Sequence, residues 1–222
     1  MATFPGRTRG AGFTLVEMLV AIALISALVA ITFPVVRSLR EGTQSAGCVN
    51  QLRKLGDAIF NYANDHNQLL VPGLYREDGL SIPWSRVLNG VGLPKDYLGI
   101  PYPPTELAKA TRKSAFDCPA RETPATYDHL HYGLSVYIGF FTYDDAGTGL
   151  KVYLPQIESA PRTLLVGEVS NAYRLMPYNV STIVLPHKGG MNALYADGSV
   201  RRVAGPLKNA NVALPGPQPP FF

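Results

Sequence analysis

Four histidines, two cysteines and a few acidic residues are the groups in this chain whose types and spacing suggest chemistry. His129 and His131 alternate as residues of a strand do, so they share one face and offer two nitrogen ligands. No third ligand stands near them, and no metal is expected. Asp144-Asp145 ahead of Gly147-Thr148-Gly149 supplies oxygen ligands of the kind calcium takes, but without EF-hand spacing, and reads as a plain acidic turn. His187 and Asp197 have two of the side-chain types of a serine-hydrolase triad, yet no Gly-x-Ser-x-Gly elbow is present. They read instead as the start of a strand and a turn. Cys48 and Cys118 show neither CxxC nor Cys/His zinc spacing. Two readings of them stay open. One is a disulfide, which would restrict the unfolded chain by roughly 4 kcal/mol through loop entropy. The other is a pair of free thiols, both buried or one of them exposed. No catalytic residue and no cofactor is expected, and the twelve tyrosines read as sheet core and interface.

Glu17 is the acidic residue that most needs an explanation. It sits at the start of a stretch, residues 18–36, that runs nineteen residues without a charge. As a helix this stretch is roughly 29 Å long, close to the hydrocarbon thickness of a bilayer. An acid at membrane depth costs roughly 2.5–3.5 kcal/mol and is usually paired and functional. A cleaved signal peptide is a poor reading: the run is too long, and Ile25 and Leu28 occupy the minus-three positions of the best cleavage sites. A plain single-span anchor explains the length but not Glu17.

Beyond the span, Cys48, Leu52, Leu55, Ile59 and Tyr62 recur at spacings of 4, 3, 4 and 3, the apolar face of an amphipathic helix. Asn50, Gln51, Arg53, Lys54, Asp57 and Asn61 take the other face. The helix is predicted from Phe13 to about Asn64, about 78 Å, before Pro72-Gly73 forbids more. Gly42, Gly47 and Gly56 weaken it by up to about 1 kcal/mol each. Residues 72–104 read as loop, with a short helical turn at residues 84–88. Residues 132–142, 151–154, 163–169 and 182–185 read as strands between turn residues. Residues 191–203 read as a hairpin closed by Asp197-Gly198, a pair suited to a two-residue turn with positive φ at both positions. The predicted class is α+β, a long N-terminal helix packed on a small antiparallel sheet.

The residues before the span carry a resemblance. Arg7 and Arg9 lie in a short leader without acids, and Gly12-Phe13-Thr14-Leu15-Val16-Glu17 follows. This resembles the class III signal of type IV pilins and type II secretion pseudopilins. The resemblance implies a prepilin peptidase that cuts between Gly12 and Phe13, N-methylation of Phe13, and a role in assembly for Glu17, which becomes the fifth mature residue. Pro34 falls at the twenty-second, where many members carry a proline. The physical argument agrees: cleavage creates an α-ammonium at Phe13, and helices stacked in a filament can pair it with the Glu17 of a neighbour. The basic leader places the N-terminus in the cytoplasm, although Arg37 and Arg40 beyond the span weaken the asymmetry.

A second resemblance lies downstream. His187, Asp197 and Gly198 fit a His-x9-Asp-Gly signature found at the C-terminus of a large group of pilin-like proteins. That group also often shows a cysteine before an Asn-Gln-Leu helix, as in Cys48-Val49-Asn50-Gln51-Leu52, and a later Cys-Pro, as in Cys118-Pro119. Ser159-Ala160-Pro161-Arg162-Thr163-Leu164-Leu165 is similar to its proline-led strand, and Glu168 to the acidic residue after it. The resemblance assigns the signature no molecular role.

Composition narrows the class. Charged residues make up 16% of the 222, the net charge is +4, and no basic stripe is present, so a nucleic-acid partner is not indicated. Together these readings divide the chain into a leader (1–12), a membrane-spanning polymerisation helix (13–36), its amphipathic continuation (37–66), an extracytoplasmic β-rich domain (67–204) and a proline-rich tail (205–222). The resemblance implies a structural subunit, not an enzyme, anchored once in the inner membrane and assembling into a secretion or pilus-like filament. Its implied partners are the prepilin peptidase, other pilin or pseudopilin subunits, the inner-membrane assembly platform and membrane lipid. The alternative is a membrane-tethered extracytoplasmic binding module that does not polymerise.

Overall fold

The computed structural model describes residues 13–77, 80–91, 94–100, 102–103, 114–126, 129–136, 142–143, 151–170, 174–175 and 182–205. Gly12, Asp144-Asp145 and most of the proline-rich tail lie outside them. The chain divides into two units after Gly42.

Helix α1 spans Leu15–Asp65 and runs through Pro34. In the first unit the side chains from Phe13, just ahead of the helix, to Arg40 are exposed: Phe13 is 80% exposed, Leu24 63% and Phe33 68%. The hydroxyls of Ser26 and Thr32 donate to the Ile22 and Leu28 carbonyls, so neither is left unsatisfied on this apolar surface. In the second unit the 4-3-4-3 face is buried, with Cys48, Leu52, Leu55 and Ile59 fully enclosed. The helix ends where Asn67 and Gln68 take left-handed φ of 54° and 67° and the Gln68 N–H returns to the Ala63 carbonyl at 2.7 Å. Just before this, His66 stacks on Tyr62, and Asp65 accepts from Lys95 at 2.5 Å. The bonds from Lys95 and Tyr97 hold the Asp65 carboxyl below its usual range, while burial and Asp65 push Tyr97 up to about 12.

Five strands form the main sheet: β3 (Tyr132–Ser135), β5 (Leu164–Glu168), β6 (Arg174–Leu175), β7 (Gly190–Tyr195) and β8 (Val200–Ala204), in the order β6-β3-β5-β7-β8. The pairs β3–β5, β5–β7 and β7–β8 are antiparallel, and β6 adds two parallel residues at one edge. All described residues of β5 and β7 are buried, because the sheet is covered on both faces. Leu165, Val166 and Leu194 pack with the α1 face, whereas Leu164, Met191, Ala193 and Tyr195 pack with Val169 and Ile183. A smaller sheet, β2-β1-β4, comprises β1 (Leu74–Glu77), β2 (Leu80–Pro83) and β4 (Thr142–Tyr143); helix α2 (Trp84–Leu88) follows β2 directly.

The α+β class and the helix agree with the sequence reading, and four local expectations change. The run read as one strand over 132–142 is two, since β3 ends at Ser135 and Thr142 opens β4 of the smaller sheet. The region read as loop contains the β1–β2 hairpin. The segments 151–154 and 182–185 are not strands: each contributes an isolated bridge, Leu69 with Tyr153 and Val169 with Ile183. Proline explains the first, since Pro155 lies in the 3₁₀ turn Leu154–Gln156 and cannot donate to a ladder. The two-residue turn with double positive φ sits not at Asp197-Gly198 but at Lys188-Gly189, φ 49° and 73°, where His187 and Gly190 exchange backbone bonds at 3.0 Å. At the β7–β8 connection only Gly198 is left-handed, φ 80°. Its N–H returns to Tyr195, which makes a longer turn.

Gly56 marks a close helix–sheet approach. A Cβ there would meet Leu194 Cδ1 at 3.1 Å, whereas one on Gly42 would meet nothing within 4 Å. Gly56→Val is therefore expected to destabilise the domain by about 1–3 kcal/mol through overpacking. Gly42→Ala is expected to cause no loss, and denaturant unfolding of the two variants checks the contrast.

Candidate functional site

The N-terminal candidate residues fall on the first turn of α1. Thr14 stands at the N-cap position and Glu17 at the third helical residue. The Glu17 Oε2 accepts from the Thr14 N–H at 2.8 Å and from its hydroxyl at 2.9 Å, and the Glu17 N–H lies 3.3 Å from the Thr14 Oγ1. This is a capping box, which satisfies orphan donors at the helix start. The Thr-x-x-Glu spacing that announces it stands in the sequence beside the apolar run. Phe13 precedes the box and is exposed.

The second candidate site is buried in the domain. Cys48, on the buried face of α1, is bonded to Cys118, with Cα atoms 4.9 Å apart; no described cysteine is free. Around the bridge lie groups that ordinarily avoid such depth. His187 Nε2 is 2.8 Å from Glu168 Oε1, and the other carboxylate oxygen accepts the Asn192 N–H at 2.9 Å. Oε1 also touches Cys118 Sγ at 3.4 Å, and His187 Nε2 lies 3.8 Å from the same sulfur. A disulfide sulfur has no proton, so these are contacts and not donated bonds. The Cys118 N–H donates to His131 Nδ1 at 3.0 Å, and the Tyr132 hydroxyl donates to the Cys48 carbonyl at 3.3 Å.

The fold explains this convergence. The regular β5–β7 register ends at Gly167 opposite Ala193, so the next residue of β5, Glu168, takes over the N–H of Asn192 with its side chain. The tight turn at Lys188-Gly189 sets His187 beside β7. Burial raises the Glu168 pKa; the hydrogen bond and charge of His187, the Asn192 N–H and the Arg121 charge pull the other way without cancelling it. Arg121, half-buried itself, donates to the carbonyls of Val169 and Ser170.

The His-x9-Asp-Gly residues thus separate. His187 serves the buried cluster at one end of β7. Asp197 serves the turn at the other end, accepting from the Ser199 N–H and hydroxyl at 3.0 and 2.6 Å and pairing with Arg201 at 2.7 Å. A six-residue strand lies between them, about 20 Å, so the two form no dyad. His129 is exposed while His131 is buried, so they do not converge either. Glu168 enters the sequence reading only by resemblance, since nothing in its own spacing pairs it with a histidine nineteen positions on.

Residues 7–33 match the family model described as the prokaryotic N-terminal methylation motif. No curated protein matches the chain, and no solved structure does. The match gives the N-terminal segment the character of a prepilin-type anchor and supports a pilin-like class. It agrees with α1, a helix long and apolar enough to cross a membrane once.

Proposed function

We propose that the chain is a pilin-like, pseudopilin-type structural subunit that polymerises through the first half of α1. The peptidase cuts after Gly12, the new Phe13 terminus is methylated, and the domain from residue 43 on faces away from the cytoplasm. The single observation that carries this reading is the apolar stretch of α1 with Glu17 at its head. Its side chains are exposed along their whole length, and such a surface requires lipid or other helices around it. In a filament the same surface passes from lipid to neighbouring helices, and the pairing of Glu17 with a neighbour's α-ammonium gives the stacking a register. The subunit is structural in this reading, with its partners the peptidase, an inner-membrane assembly platform and other subunits.

Expression in cells with and without a prepilin peptidase tests this reading. Mass spectrometry of the purified chain is expected to find a methylated Phe13 terminus only where the peptidase is present, and sheared fractions are expected to hold polymer only then. A terminus at Met1 or Ala2 in peptidase-bearing cells overturns it. Correct processing without polymer favours the tethered binding module.

A further inference from the structure

The cluster at the disulfide holds the donor set of a metal centre. The two sulfurs of Cys48 and Cys118, the Glu168 carboxylate and the His187 imidazole lie within 4.8 Å of one another, and all four residues are buried. We propose that, when the disulfide is reduced, these four side chains bind one Zn²⁺, so that the core of the domain alternates between a covalent clasp and a metal clasp.

The geometry supports this independently of how the N-terminus assembles. Zinc bonds of about 2.0–2.3 Å in a tetrahedron set ligand–ligand edges of roughly 3.3–3.8 Å. Cys118 Sγ already stands 3.4 Å from Glu168 Oε1 and 3.8 Å from His187 Nε2. The sulfurs must separate, the widest ligand spread of 4.8 Å must close by about 1 Å, and the oxygen and nitrogen, now 2.8 Å apart, must yield slightly. The Asn192 N–H on the far carboxylate oxygen fixes the orientation of Glu168, as outer groups do around metal ligands. Two thiolates, one carboxylate and Zn²⁺ leave a single negative charge, and the Arg121 guanidinium is close enough to act on Glu168. One carboxylate oxygen of Glu168 already serves the Asn192 N–H, and the other, which faces His187 and Cys118, is the one a metal would take.

The chemistry balances in two steps. A dithiol reductant attacks the protein disulfide, transfers two electrons, and leaves as its own cyclic disulfide while Cys48 and Cys118 become thiols. Zn²⁺ then displaces one proton from each thiol, the proton shared between His187 Nε2 and Glu168 Oε1 moves to Nδ1 or to solvent, and the freed nitrogen and carboxylate oxygen complete the shell.

The test uses the untagged full chain in detergent micelles, reduced with dithiothreitol and desalted without oxygen. Titration with Co²⁺ is expected to give thiolate-to-cobalt absorption in the near ultraviolet and tetrahedral bands in the visible, saturating at one ion per chain and lost on adding Zn²⁺. The oxidised chain is expected to give neither. Glu168→Gln and His187→Ala are each expected to weaken Co²⁺ binding by about tenfold or more. Absence of bands in reduced wild type that keeps its near-ultraviolet dichroism overturns the proposal. So do unchanged bands in both variants, which would leave the metal on the thiols alone. Should the variants unfold, X-ray absorption of the zinc-loaded wild type decides: two sulfurs with two lighter ligands, one an imidazole, sustain the site, and any other shell removes it.

Discussion

Replacing Glu17 by glutamine is expected to reduce recovered polymer more than tenfold while leaving membrane insertion and the domain intact. Glutamine accepts hydrogen bonds as glutamate does, so the capping box with Thr14 persists and only the charge is lost. Glu17→Ala removes both and is expected to fall to a similar level. Thr14→Ala removes the hydroxyl half of the box, costs the helix start about 1 kcal/mol, and is expected to assemble nearly as well as wild type. Glu17→Asp keeps the charge at shorter reach and should be intermediate. The magnitude follows from the roughly 2.5–3.5 kcal/mol of an unpaired acid at membrane depth, which the arriving ammonium offsets. The measurement is polymer in sheared or cross-linked fractions, normalised to inserted monomer. The reverse ranking, with Glu17→Gln near wild type and Thr14→Ala impaired, would make the residue a helix cap and nothing more. Full assembly of Glu17→Ala would favour the tethered module.

Removing the bridge is the second large change. A Cys48→Ala, Cys118→Ala double variant frees a loop closed across 70 positions and is expected to lose about 4 kcal/mol. Domains of this size hold only about 5–15 kcal/mol in total, so a large share goes. With a urea slope of about 1–3 kcal/mol per molar, the unfolding midpoint should fall by more than about 1 M. Wild type treated with reductant in a metal-free buffer should fall by a comparable amount. Insensitivity of the wild type to reductant, with both thiols labelled in freshly isolated protein, would mean that the exported chain carries no bond.

The helix was legible because its signals are local and repeated: five apolar residues at helical spacing, then residues that favour a turn. The β1–β2 hairpin was not, since two four-residue strands around Asp78-Gly79 with Pro83 at the end carry little alternation. The turn at Lys188-Gly189 is not legible because lysine rarely marks a left-handed position, whereas Asp-Gly at 197–198 is the common signal for one. The buried cluster depends on strand register and on a turn's geometry. Glu168 and His187 meet through β5 and β7, and no spacing of residue types announces that. The capping box was readable in four letters and was obscured by the stronger signal of an acid beside an apolar run.

The bridge between Cys48 and Cys118 also changes how the chain carries tension. A pull applied along α1 reaches Cys48 and crosses directly to Cys118, so residues 49–117 are bypassed by the load. That detour holds about 250 Å of extended chain. It includes the outer end of α1 and both strands of the β1–β2 hairpin, none of which can be drawn out while the sulfurs remain joined. A subunit built in this way yields under strain only from its two ends, and it keeps its longest internal loop in reserve until the bond is cut.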